Sequence, residues 1–172
     1  MKQEIKQHLT DSVRDFRLPR YQEIPGVGLY LDQTVKYICE YLAPLQENAV
    51  TGSMVSNYVK KDLVESPAKK RYSQEQIAYL IFITLAKNVL SLDNLSMFIR
   101  LQKLTYPAQQ AYDYFCEEFE NILGYVFGLK DTVEDVGSDS TEEKFMLRAT
   151  IITLAHKLYL DKSFACMASD NM

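Results

Sequence analysis

The sequence predicts a mainly α protein, and three observations carry that expectation. Apolar residues recur at helical spacing through most of the 172 positions. Six glycines and five prolines are too few for the many tight turns of an all-β design. No run alternates apolar and polar residues as a half-buried strand would. Apolar residues at 47% and charged residues at 24% describe a chain able to bury a core.

The elements follow in order. Lys2 to Phe16 is expected to form a polar helix with a thin stripe at Ile5, Leu9, Val13 and Phe16. LPRYQEIPGVG, with two prolines and two glycines, marks a connector. Leu31, Val35, Ile38, Cys39 and Leu42 share a helix face, and Pro44 ends that segment. Thr51 can cap a second helix whose apolar side is Met54, Val55, Tyr58 and Val59. Its polar side then holds Ser53, Ser56, Asn57, Lys60 and Lys61. Pro67 stops any continuation. Ser73 with Gln76 three residues later reads as a capping box, opening a helix that is apolar on more than one side. Ser91 or Asp93 can begin the next helix, and Pro107 suits the first turn of another that ends near Leu123. GLKDTVEDVGSDST is an acidic loop. Ser140 with Glu143 gives another capping box before a last helix.

A first helix and connector (residues 1–28) therefore precede a head (29–104) and a helical C-terminal extension (105–172). Helix, turn, helix, short basic turn and capped helix is the layout of a winged helix-turn-helix. Thr51 to Tyr72 holds five basic and two acidic residues, a local charge of +3 in a chain of −4. A helix in the major groove needs an apolar face for its own core and small polar groups toward base edges. Ser53, Ser56, Asn57 and Tyr58 are the candidates for that role. Lys60, Lys61, Lys69, Lys70 and Arg71 would meet phosphates. Lysines also favour a helix C-terminus on electrostatic grounds alone. The same fold serves protein interaction, so two readings stand: a regulator of double-stranded DNA, and an adaptor that binds no DNA.

MVSNYVKKDLV, the basic turn, RYS, QIAYLIFI and LSLDNL resemble the DNA-binding head of MerR-type regulators. The likeness puts Tyr58 on a family tyrosine and Tyr72 and Ser73 at the exit of the wing. Ser56 stands where that family usually has arginine, and Asp62 where it has glycine. Over a longer span, LPRYQEIPGVGLYLDQ to LSLDNL is similar to an uncharacterised bacterial family, domain of unknown function eighteen thirty-six. That likeness implies a bacterial, cytosolic protein.

The rest of the chain points away from chemistry. Cys39, Cys116 and Cys166 have no ligand spacing and are expected to be reduced thiols. His8 and His156 are far apart, so no metal is expected. No cofactor loop or catalytic motif occurs, and an enzyme is not expected. Nothing is long and apolar enough to span a membrane. Glu117, Glu118 and Glu120 are expected on a solvated helix face. Tyr106, Tyr112, Tyr114, Phe115, Phe119, Tyr125 and Phe127 crowd one segment. That segment reads first as an ordinary core, and otherwise as an effector pocket of unknown ligand or a dimer seam. A homodimer is expected, because paired heads read two half-sites.

Overall fold

The computed structural model describes residues 3–137 and 140–170, so Lys2, Ser138 and Asp139 of the expected elements lie outside it. Among the described residues there are seven α-helices and one two-stranded sheet. Helix α1 spans Gln3–Ser12 and stops short of Phe16. Ser12 Oγ donates to the Leu9 carbonyl at 2.7 Å, and the chain then tightens into turns. Leu9 and Val13 remain buried.

Hydroxyl caps set most helix starts. α2 (Leu31–Leu42) is followed by α3 (Gly52–Lys60), where Thr51 Oγ1 accepts the Met54 amide at 3.2 Å. α4 (Gln74–Ala86) opens on the expected box. Ser73 Oγ accepts the Gln76 amide, and Gln76 Oε1 accepts the Ser73 amide at 2.8 Å. Ser91, not Asp93, caps α5 (Leu92–Thr105). α6 (Ala108–Val126) starts one residue past Pro107, which takes the cap position rather than the first turn. α7 (Glu142–Asp170) is capped by Thr141, whose Oγ1 accepts the Lys144 amide, so a single cap bond one residue on replaces the expected Ser140–Glu143 box.

Two strands of two residues each were not legible as alternation. β1 (Leu29–Tyr30) pairs antiparallel with β2 (Arg71–Tyr72), Leu29 facing Tyr72 and Tyr30 facing Arg71. Gly28 makes the approach possible: its φ is +78°, and a Cβ there would lie 2.9 Å from the Tyr72 carbonyl oxygen.

α4 is the central helix, buried on several sides from Ile77 to Ala86. It packs against α6, α7, β2 and the 3-10 turn at Tyr21–Glu23. α6 and α7 lie against each other, and α1 rests on α7, with Thr10 Oγ1 donating to the Phe127 carbonyl at 2.7 Å. Of the aromatic segment, Tyr112, Phe115, Phe119 and Phe127 are core, whereas Tyr125 is exposed: Phe115 stacks on Phe119 and meets Phe82 edge-on, and Phe16 covers Phe119. Among the described residues no helix is long and apolar enough to cross a membrane.

Candidate nucleic-acid interface

α2 contacts α3, β1 and β2, so one helix positions both the second helix and the strand pair of the head. On α3, Ser53, Asn57 and Lys60 are exposed and stand at i, i+4 and i+7, hence on one face. Ser56 is half-buried beside them. Tyr58 leaves this set: it is 3% exposed, and burial raises its phenol pKa. Its residue type suited a base contact, but its helical phase faces the core.

The end of α3 is a two-bond terminator. Leu63 N–H reaches the Tyr58 carbonyl at 3.0 Å and Asp62 N–H reaches the Val59 carbonyl at 3.1 Å. Asp62 takes φ +56°, the left-handed conformation that glycine most often supplies at this position. Leu63 and Tyr58, the two positions whose apolar side chains commonly accompany this motif, are both buried. The departure at Asp62 therefore keeps the backbone path that glycine would give. Lys61 is the last residue before this turn and is exposed.

A two-residue hairpin presents the other lysines. Ala68 and Arg71 form a bridge, Arg71 N–H donating to the Ala68 carbonyl at 2.9 Å. Lys69 and Lys70 between them have φ of +50° and +63°. This is the turn that favours Asn-Gly, because both central residues are left-handed. Two lysines hold it, both exposed.

Arg71 is engaged differently. Its guanidinium lies over the Tyr30 ring, 4.7 Å from the centroid, and donates to Tyr30 Oη at 3.2 Å and to the Val27 carbonyl at 3.5 Å. It binds the hairpin to the Pro25–Gly28 turn. Tyr30 and Val27 were missed in the sequence, since only the strand register brings them to Arg71 across 41 and 44 residues. By contrast, among the described residues Lys60, Lys61, Lys69 and Lys70 make no ion pair or side-chain hydrogen bond.

The long turn from Ala43 to Val50 is fixed from below. Lys87 Nζ donates to the Ala49 carbonyl at 2.7 Å and Cys39 Sγ to the Val50 carbonyl at 3.3 Å. Burial pulls the Lys87 pKa down. Beside the hairpin runs a groove of about 750 Å³, bordered by Val27, Tyr30, Val64, Lys69, Tyr79 and Lys103.

The acidic cluster on α6 is not the solvated face expected. Only Glu117 of the three is exposed. Glu118 is 0% exposed, 3.3 Å from Arg148 Nε, and burial holds its carboxyl above the usual range. Glu120 receives both arms of Arg20, at 3.0 and 2.5 Å, and the Leu18 amide at 2.8 Å. A helix phase that carries Phe115, Phe119 and Ile122 inward also carries Glu118 in. Among the described residues no group of three or more His, Cys, Asp or Glu is arranged to hold a metal.

A family model described as Domain of unknown function (DUF1836) matches residues 19–115, which span the connector, the head and the first turns of α6. No curated protein and no solved structure matches the chain.

Proposed function

This chain belongs to the DUF1836 family, and for it we propose a head that binds double-stranded DNA as a winged helix-turn-helix of the MerR type. One observation supports this reading above the others. Four lysines of an acidic chain are exposed and unpaired around α3 and the hairpin, two of them in backbone that lysine does not favour. In this reading α3 enters the major groove with Asn57 and Ser53 toward base edges and Ser56 at the margin. Lys60, Lys61, Lys69 and Lys70 meet phosphates. Arg71 acts mainly as a positioning residue, holding the hairpin on Tyr30. The regulator works in the cytoplasm, as a homodimer, and catalyses no reaction.

The test is selection of bound genomic fragments followed by anisotropy titration across salt. Affinity should fall by about 0.9 log unit per phosphate contact per decade of salt. Replacing Lys69 and Lys70 by alanine should weaken every sequence alike and flatten that slope. Asn57→Ala should cost about 1–3 kcal/mol on the preferred site only. If the wild type binds no duplex at low salt, the proposal fails.

A second reading, protein interaction through the same head, draws on the groove beside the hairpin and on Val27, which is 79% exposed at its rim. A pull-down that Val27→Asp abolishes, with no duplex binding by the wild type, would favour it.

A further inference from the structure

Helix α7 buries Leu147, Ile151, Leu154, Ala155 and Leu158 on one face. Its outer face is apolar as well. Phe145 is 71% exposed, Ile152 41%, Leu160 52% and Phe164 66%, with Met146 at the margin. At about 100° per residue, Phe145, Ala149, Ile152, His156, Leu160 and Phe164 fall within roughly 120° of arc. A solvent-facing helix normally carries charge there. None of these six has a carboxylate or an ammonium group.

The stripe is also its own complement. Turned end for end about its middle, between residues 154 and 155, it sets Phe145 on Phe164, Ala149 on Leu160 and Thr153 on His156. The bulky Leu160 thus meets the small Ala149, and the phenylalanines meet at both ends. A patch that serves as both halves of a contact is the mark of a two-fold interface. Taking roughly 150–250 Å² for each large side chain, the exposed fractions amount to about 500 Å² of apolar surface per chain. A standard stable interface buries about 800 Å² per partner. Thr153, His156 and Ala149 supply further surface.

We propose that the outer face of α7 pairs antiparallel with the same face of a second copy of this chain, in the register that places Ala149 against the partner's Leu160. α6 takes no part, because its apolar face is spent on α4 and α7. This pairing concerns α7 alone and does not depend on DNA.

Cross-linking tests the register. In a background with Cys39→Ser and Cys166→Ser, the double variant Ala149→Cys/Leu160→Cys should form a covalent dimer under mild oxidation. The two positions are about 16 Å apart along one helix, outside disulfide reach within one chain, which needs Cα atoms about 4.4–6.8 Å apart. Each single variant should stay unlinked, since antiparallel pairing separates it from its own copy by the same distance. Sedimentation should give a dimer mass for the wild type and a monomer mass for Phe145→Asp/Phe164→Asp. Both phenylalanines are exposed, and an unchanged circular dichroism spectrum verifies that this variant folds. A linked single variant would mean a parallel pair and overturn the register. A monomer mass for the wild type at all micromolar concentrations, measured without DNA, would overturn the pairing and leave the DNA reading untouched.

Discussion

Glu120 and Lys69 each carry one charge, and the fold treats them differently. In the body, Glu120 receives the fork of Arg20 and the Leu18 amide, and Glu118 sits against Arg148. In the head, Lys60, Lys61, Lys69 and Lys70 touch no acid among the described residues. The Arg20 pair straps the connector onto α6, so its charges are consumed by structure. The hairpin lysines consume structure instead: the backbone bends to hold them out. A charge with a partner inside the fold reports on stability, and one without reports on what the fold meets.

The largest effect that separates the two regions should come from the strap. Glu120→Ala leaves Arg20 and the Leu18 amide without their acceptor, at a cost of about 2–3 kcal/mol. Denaturant melts would measure the loss, and the salt slope of DNA binding should stay where it was. A changed slope would erase the distinction between the regions.

The hairpin should behave in reverse. Lys69→Asn/Lys70→Gly relieves two left-handed side-chain residues and should stabilise by about 1–2 kcal/mol. Binding to all sequences should weaken in the same protein. Stabilisation without weaker binding would mean that the turn is only a turn.

Ser73→Ala removes the cap of α4 and should cost about 1 kcal/mol, read as a shift in the urea midpoint. An unmoved midpoint would show that Gln76 alone anchors the helix start to the hairpin stem through the Glu65 carbonyl.

The smallest effect concerns acid. Burial raises the Glu118 carboxyl in the folded state while Arg148 and Lys144 pull it back. The folded chain therefore holds that proton more firmly than the unfolded one. Stability from this group is present below the unfolded value and is lost as pH rises through the folded value. Glu118→Gln should flatten that decline in melts taken from about pH 4 to 8, and an unchanged profile would show that Arg148 compensates fully.

Much of the fold was legible because helix starts are written locally. Thr51, Ser73 and Ser91 each hold an amide three residues ahead, and a hydroxyl before an apolar period announces that bond. Ser140 and Thr141 offer the same chemistry side by side, so sequence alone did not choose between them. Strands of two residues are too short to show a period of two. The basic island was visible as composition, whereas its division into free lysines and an engaged Arg71 required the Tyr30–Arg71 register. Glu118 looked solvated because adjacent acids usually are. Only the packing of α7 over α6 shows that its side chain points inward.

The contact of α1 with α7 joins the first described helix to the last. On the ribosome the two are made about 130 residues apart, an interval of roughly 6–26 s at usual elongation rates. Throughout that interval the side of α1 that rests on α7 has no partner helix. α1 emerges early and can first meet the end of α6 through Thr10 and Phe127, and its contact with α7 closes last.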